Sequence, residues 1–216
     1  MKPISFWFDP FSPYAWLAFE RLPQALEGIS HVVEYRPVLF ASLLKAWGQK
    51  GPAEIAPKRA WTYRQVAWLA RAQGAPLQVP RPHPFNPLAL LRLALASAPA
   101  GGLPNRRVSE LLFRHAWCRN GADPNEPQAL QDLAEAVALV RDPNGDDIKA
   151  ELRAASDLAL SRGIFGVPTF EWEGRSFWGQ DALPMLRAAL LGDAWFDGPA
   201  WDEAGAQPLG LVRREA

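Results

Sequence analysis

Apolar residues form short continuous runs near both ends of the chain. Residues 4–8 are mostly aromatic or branched, and Asp9-Pro10 ends the run. Residues 170–172 and 175–178 carry similar aromatic positions and are joined by Glu173-Gly174. Runs of this length between turn residues are typical of buried strands, and a two-residue turn with glycine is typical of a hairpin. The pattern predicts one strand at the start and a β-hairpin near the end.

Helical spacing fills most of the chain between these runs. Residues 31–38 alternate and are β-branched, which predicts a second strand that ends at Pro37. Elsewhere apolar positions recur three or four residues apart, which is typical of helices. They predict a first helix that stops or kinks near Pro23, a short helical piece at 43–47, and helices at 57–73, 88–98, 106–119, 126–140 and 146–162.

The end of the chain changes pattern again. Residues 180–191 predict a last helix that ends at Gly192. Residues 193–216 contain Gly, Pro and Trp without a clear period. They predict a tail that lies on the surface or is partly disordered.

Ser12-Pro13 follows the first strand and predicts the start of a helix. A serine oxygen accepts a backbone N–H of the first turn, and proline is tolerated there because its missing N–H is not needed. The simplest interpretation of Ser12 is therefore a helix cap. A helix N-terminus also carries partial positive charge and free N–H groups, so the same hydroxyl lies where a thiolate, carboxylate or phosphate binds well.

Charge and composition exclude several classes of function. The 216 residues carry 23 basic and 23 acidic side chains, so the net charge is zero and neither nucleic acid nor a membrane surface is an expected partner. No stretch has the ~20 uncharged apolar residues of a membrane span, and the N-terminus does not resemble a signal peptide. The expected location is the cytoplasm.

Cysteine and histidine usage excludes further chemistry. Cys118 is the single cysteine, so neither an intramolecular disulfide nor a CxxC motif can form. A lone cysteine is either a nucleophile or a small core residue, and its place late in a helical segment favours the core. His31, His83 and His115 lack metal-ligand spacing, and no metal is expected.

The order of elements predicts the fold. A β-α-β unit, a helical block, a hairpin after Val167-Pro168-Thr169 and a last helix form the layout of an α/β, thioredoxin-like domain with helices inserted in its middle. Ser12-Pro13-Tyr14-Ala15 resembles the Cys-Pro-X-Cys site of disulfide oxidoreductases of the DsbA type, with both cysteines replaced. We expect a thioredoxin-like domain at 1–55 and 163–192, an inserted helical domain at 56–162, and a tail at 193–216.

Three motifs together make the resemblance more specific. Phe8-Asp9 followed by Ser12-Pro13-Tyr14, then residues 163–170, then residues 177–181 (Phe-Trp-Gly-Gln-Asp), resemble the 2-hydroxychromene-2-carboxylate isomerases, relatives of kappa-class glutathione transferases. The resemblance covers residues 4–191. It implies a glutathione-dependent cis-trans isomerase that acts on 2-hydroxychromene-2-carboxylate or a related aromatic enone acid, and a homodimer by analogy.

The resemblance also implies roles for individual residues. The Ser12 hydroxyl is expected to donate to the sulfur of glutathione and to be the catalytic residue. The backbone of Val167, before a cis Pro168, is expected to pair with the cysteinyl backbone like an added strand. Gln180 and Asp181 are expected to hold the γ-glutamyl end. The alternative is that they only form the first turn of the last helix, where an acidic residue is favourable.

The loop that follows the second strand matches the family less well. Family members carry Gly-Asn, two prolines and a later Pro-x-Lys, whereas this chain has residues 48–52 (Gly-Gln-Lys-Gly-Pro) and then Pro57-Lys58. Gln49 therefore replaces an asparagine. Gln49 and Lys58 are expected to contact glutathione or a substrate carboxylate, and a solvated lysine at a helix start is the alternative for Lys58.

Two alternatives to the isomerase remain open. A kappa-like glutathione transferase or peroxidase would use every glutathione contact named above on another electrophile. A non-catalytic thioredoxin-like binding protein would keep Ser12 as a cap, and the altered loop favours that interpretation. Thiol-disulfide exchange is excluded because it needs a second cysteine.

Overall fold

The computed structural model describes residues 1–208 and residue 210. These residues form four strands, β1 (Lys2–Phe8), β2 (His31–Pro37), β3 (Thr169–Trp172) and β4 (Arg175–Trp178). They also form nine α-helices, α1 (Pro13–Ala25), α2 (Phe40–Ala46), α3 (Ala56–Gln73), α4 (Leu88–Ala96), α5 (Arg106–Trp117), α6 (Pro127–Val137), α7 (Asp146–Ser161), α8 (Leu183–Leu190) and α9 (Pro199–Gly205). Short 3-10 turns cover Pro52–Glu54 and Gln180–Ala182.

The strands form one mixed sheet in the order β2-β1-β3-β4. β1 pairs with β2 in parallel and with β3 in antiparallel orientation, and β3 and β4 form the predicted hairpin with its turn at Glu173-Gly174. Because β1 is a central strand, the turn after it starts at the middle of the sheet. This is the predicted α/β, DsbA-like thioredoxin arrangement, in which helices α3 to α7 lie between β2 and β3 along the chain.

An aromatic core joins the sheet to the helical block. Phe6 stacks on Phe170 of the neighbouring strand with ring centroids 4.9 Å apart. Phe8 lies 5.2 Å from Phe113 of α5, and Phe113 lies 5.1 Å from Phe19 of α1. All five rings are buried, so the strands, α1 and the inserted helices share one apolar core. The division into two domains with boundaries at 55/56 and 162/163 stays a prediction.

Several helices differ from their predicted bounds. α1 continues past Pro23 to Ala25, since a proline removes only one hydrogen bond and Leu26 N–H still reaches the carbonyl of Leu22. The helix predicted at 180–191 divides into the 3-10 turn Gln180–Ala182 and α8, with Gly192 at positive φ after it. Three of the inserted helices, α4, α5 and α6, are shorter than predicted at their C-terminal ends, by two or three residues.

The tail contains more structure than its sequence predicts. Phe196 is buried against Phe177 of β4, with ring centroids 5.9 Å apart. Trp201 of α9 packs on Phe196 at 5.4 Å, and Trp195 completes the group. The sequence does not predict this structure, because the spacing of these aromatic residues is too irregular for a helical period. Residues 209 and 211–216 of the predicted tail lie outside the described residues.

None of the helices in the described part of the chain combines the length and the apolar character that crossing a membrane requires.

Candidate active site

A cleft of about 800 Å³ opens beside the turn that joins β1 to α1. One wall comes from that turn, from residues 165–168 and from residues 178–181. The opposite wall comes from residues 49–54, from α3 and from the segment around His83. Every residue that the sequence predicts for the site lines this cleft: Ser12, Gln49, Lys58, Val167, Pro168, Gln180 and Asp181.

Ser12 is the N-cap of α1, as its sequence predicts. Its side chain is 5% exposed, and its Oγ accepts the backbone N–H of Ala15 at 3.3 Å. Among the described residues this hydroxyl donates to no acceptor, so its proton is free to point into the cleft. A buried hydroxyl at a helix N-terminus can therefore donate to an anion held there.

The buried side chain of Asp9 stabilises the turn that contains Ser12. The side chain is fully buried, and its two oxygens accept the backbone N–H groups of Phe11 and Phe40, each at 3.1 Å. Burial raises the pKa of Asp9 to about 7, against the lowering effect of these two hydrogen bonds. The sequence marks Asp9 only as the end of a strand and as part of a motif. In the structure it ties the Ser12 turn to the start of α2.

The peptide bond between Val167 and Pro168 is cis, as predicted. Among the described residues, neither the N–H nor the carbonyl of Val167 has a hydrogen-bond partner. Gly166 comes just before, and a Cβ at that position would lie 2.6 Å from Nε1 of Trp178. Phe165 packs on the same indole with ring centroids 5.0 Å apart. The loop thus presents unpaired backbone groups beneath an aromatic rim.

Gln180 and Asp181 differ in how firmly they are held. Gln180 is 7% exposed, and its Oε1 accepts from Nε2 of Gln73 on α3 at 2.6 Å. This bond leaves the amide N–H groups of Gln180 for a ligand. Asp181 is exposed, and its carboxylate lies where a side chain on Gly179 would have its Cβ. The glycine therefore keeps room for the acid.

The 48–58 loop brings its predicted residues to the cleft without fixing them. Gln49 and Lys58 are exposed and make no side-chain hydrogen bond to the described residues. The loop itself is tied down by its backbone and by neighbours: Gly51 N–H donates to Glu54 Oε1 at 2.6 Å, and Trp47 Nε1 donates to the carbonyl of Ile164 at 3.2 Å.

The wall formed by α3 and the segment around His83 contains a polar pair that the sequence does not predict. His83 Nε2 lies 3.0 Å from the carbonyl oxygen of Phe11, and its Nδ1 lies 2.7 Å from the hydroxyl of Tyr63. The Phe11 ring stacks on the imidazole at 5.1 Å. No local sequence pattern predicts this contact, because His83 lies in a proline-rich stretch and Tyr63 lies in the middle of a helix.

Other candidate chemistry lies elsewhere or is weak. Cys118 does not line the cleft; it is half-buried, and burial raises the pKa of its thiol, so it behaves as the small core residue that the sequence predicts. Within residues 1–208 no group of three or more His, Cys, Asp or Glu side chains is arranged to hold a metal ion.

Relatives of this chain are known. Residues 3–191 match the family model of the DSBA-like thioredoxin domain. A 2-hydroxychromene-2-carboxylate isomerase of Sphingobium xenophagum is 31% identical over 201 residues, which cover 88% of this chain and 98% of the relative. Glutathione S-transferase kappa 1 of Rattus norvegicus is 26% identical over 214 residues, which cover 90% of this chain and 92% of the relative.

Solved structures agree on the fold. A structure of 2-hydroxychromene-2-carboxylate isomerase superposes with a TM-score of 0.76 at 20% identity and covers 90% of this chain and 97% of its own. At that identity the likeness supports the architecture alone.

Proposed function

Because this chain belongs to the family of DSBA-like thioredoxin domains, and within it to the 2-hydroxychromene-2-carboxylate isomerases, we propose that it is a glutathione-dependent isomerase of an aromatic enone acid. The observation that carries the proposal is the Ser12 hydroxyl, which is buried at the start of α1 with its proton unused by the protein. A thiolate suits this position, because a donor and a helix N-terminus lower the pKa of a thiol from ~8.5.

Several groups in the cleft could serve as partners for parts of glutathione. The unpaired backbone of Val167 can pair with a cysteinyl backbone as an added strand would. The amide of Gln180 can donate to an α-carboxylate, and the carboxylate of Asp181 can bind an α-ammonium group. Exposed Gln49 and Lys58 can reach the other end of the peptide or a substrate carboxylate.

The proposed chemistry needs little from the protein beyond positioning. Glutathione, when bound, supplies a thiolate that adds reversibly to the conjugated carbon of the ring-opened enone and leaves again after the former double bond has rotated. Ser12 donates a hydrogen bond that keeps the sulfur anionic and in place. The aromatic side chains Phe11, Phe40 and Phe85 also line the cleft and can pack against an aromatic substrate. Lys58 and Arg59 offer positive charge for a carboxylate.

Calorimetric titration with reduced glutathione tests the proposal. We expect wild-type protein to bind, and Asp181→Ala to bind up to about 5-fold more weakly at low ionic strength, because Asp181 is exposed and an exposed ion pair contributes about 0.2–1 kcal/mol. Asp132→Ala is the matched control, since Asp132 is an exposed acid on α6, outside the cleft. Absence of binding by the wild type would reject both glutathione-dependent activities and leave a thioredoxin-like binding protein.

A kappa-like transferase is the second candidate, since the similarity to the kappa enzyme extends over 90% of the chain. The two activities differ in what happens to glutathione. An isomerase releases the thiolate unchanged, so free thiol stays constant during turnover, whereas a transferase consumes one thiol per product. Thiol quantification during turnover therefore separates them. A homodimer and a cytoplasmic location stay predictions.

A further inference from the structure

Hydrogen bonds fix which nitrogen of His83 carries the proton. The Phe11 carbonyl oxygen, 3.0 Å from Nε2, can only accept, so Nε2 is protonated. In a neutral imidazole Nδ1 is then the basic atom. The hydroxyl of Tyr63 lies 2.7 Å from Nδ1 and 3.0 Å from the backbone carbonyl oxygen of His83, and it donates to Nδ1 across the shorter contact. The Tyr63 oxygen keeps its lone pairs for a group in the cleft, which both residues line.

The surroundings of His83 keep the imidazole neutral at neutral pH. Burial lowers its pKa below the usual 6.5, and the Phe11 carbonyl opposes that shift. The elements packed against His83 bring Tyr63 and Arg59 from α3, Asp9 and Phe11 from the turn after β1, and the Trp117 ring of α5 at 5.2 Å. Within the described chain, no charged neighbour contributes to the shift at His83.

Other cleft residues are poorly placed to accept a proton. Both oxygens of Asp9 are occupied by backbone N–H groups, and one oxygen of Glu54 caps Gly51. The Tyr14 hydroxyl donates to Oε1 of Gln65 at 2.7 Å. Lys and Arg side chains only donate. Asp181 is a free carboxylate, but the proposed site uses it for the ammonium group of glutathione.

We propose that Tyr63 and His83 form a proton relay that opens the ring of a cyclic hemiketal substrate in this cleft. The inference rests on the proposed function, because it assumes a 2-hydroxychromene-2-carboxylate or a similar hemiketal acid as substrate. Tyr63 is the catalytic residue that contacts the substrate oxygen. His83 acts through Tyr63 as the residue that positions it and holds the proton.

The step balances without an external reagent. The substrate hydroxyl gives its proton to the Tyr63 oxygen, while the Tyr63 proton moves to Nδ1 of His83. The O–H electron pair forms the new carbonyl, and the ring C–O bond breaks with its pair going to the phenolate oxygen. The proton then returns from His83 through Tyr63 to that phenolate. Both substrate oxygens are attached to the same carbon, so one relay reaches both.

Ring opening measured without glutathione tests this relay. The probe is 2-hydroxychromene-2-carboxylate, and formation of the open-chain enone is followed by stopped-flow absorbance. We expect wild-type protein to accelerate opening and Tyr63→Phe to lower the rate about 100-fold, a usual contribution of general acid–base catalysis. His83→Gln should act in the same direction and should also remove the loss of rate at acidic pH, which in the wild type reports protonation of Nδ1.

Matched controls are available outside the cleft. Tyr35 is a buried tyrosine whose hydroxyl accepts from Arg106, and His115 is a buried histidine bonded to the carbonyl of Pro124. Tyr35→Phe and His115→Gln should open the ring at the wild-type rate. In the wild type, nitrogen NMR should show the tautomer of His83 protonated at Nε2.

The outcomes separate this inference from the proposed function. Wild-type opening that Tyr63→Phe leaves unchanged, or no acceleration by the wild type, overturns the relay, whatever glutathione does. Ring opening lost in Tyr63→Phe, with glutathione binding unchanged, supports it. A protein that opens the ring but fails to bind glutathione would keep the relay and reject the proposed isomerase.

Discussion

The two walls of the cleft are built in different ways. In the wall that contains Ser12, Val167 and Gln180, these three residues are 5–7% exposed, and the fully buried Asp9 supports them. The opposite wall presents Gln49 and Lys58 as exposed side chains on a loop and at the start of a helix. The first wall is preorganised by the sheet, and ligands that bind there avoid the entropy cost of ordering side chains. The second must be ordered by its ligand.

The two walls therefore suit different parts of a ligand: one wall can hold a reacting atom in a fixed position, and the other can adapt to the rest of the ligand. A thiolate has to be held by a fixed donor, because small displacements of a reacting atom are costly. A substrate carboxylate tolerates a mobile lysine, which acts as a point charge. We therefore expect substitutions in the buried wall to have large effects on stability and turnover, and those in the exposed wall to have small effects on affinity.

Asp9 should give the largest effect. Because its pKa in the folded protein is raised from 3.8 to about 7, it contributes stability that is fully present below its unfolded pKa and is lost as pH rises through about 7. The contribution is on the order of 4 kcal/mol at most, from about 1.4 kcal/mol per pKa unit. Asp9→Asn should therefore unfold with a free energy that depends less on pH across this range than the wild type, as urea denaturation would measure.

The amide oxygen of Asp9→Asn accepts only one of the two backbone N–H groups, so the variant should be less stable than the wild type at acidic pH, where both side chains are neutral. The difference should shrink as the wild-type carboxyl ionises above pH 7. Asp146→Asn is the control, since Asp146 is an exposed acid bonded to Lys149 on α7. If the free energy of unfolding of Asp9→Asn changed with pH as steeply as that of the wild type, Asp9 would not be the group that titrates in this pH range.

Ser12 should come next. Ser12→Ala removes the donor aimed into the cleft, and loss of such a donor costs about 100-fold in turnover. It also removes the cap of α1, which costs roughly 1 kcal/mol of stability. Turnover at saturating glutathione and urea denaturation measure the two effects separately.

Asn105→Ala isolates the capping effect. Asn105 caps α5 by accepting the N–H of Val108 at 3.0 Å, and it lies outside the cleft. This variant should lose similar stability and keep full turnover. If Ser12→Ala also lost stability and kept full turnover, Ser12 would act only as a helix cap.

Sequence reasoning succeeded where a role depends on a local pattern. Ser12-Pro13 predicts a helix start, and Val167-Pro168 precedes a hairpin whose turn is visible in the sequence. Tyr63 and His83 escape sequence-based prediction because they are 20 residues apart and meet only in the folded chain. The Phe11 carbonyl that orients the imidazole comes from a third segment. Sequence reasoning missed α9 because the tail is ordered by packing on Phe177 and not by its own periodicity.

Lys58 should give the smallest effect. Its side chain is exposed, so its attraction to a carboxylate is weakened by water and by salt. Lys58→Ala should weaken glutathione or substrate binding by about 3-fold at low ionic strength, in keeping with exposed pairs that contribute about 0.2–1 kcal/mol. The difference from wild type should disappear in high salt. Calorimetry at two salt concentrations measures both.

Lys45 is the matched control, because it is exposed on α2 and does not line the cleft. Lys45→Ala should bind as the wild type does in both salts. A loss of 100-fold or more in Lys58→Ala that persists in high salt would mean that the ligand buries this lysine. The exposed wall would then close over the ligand and become as ordered as the wall that contains Ser12.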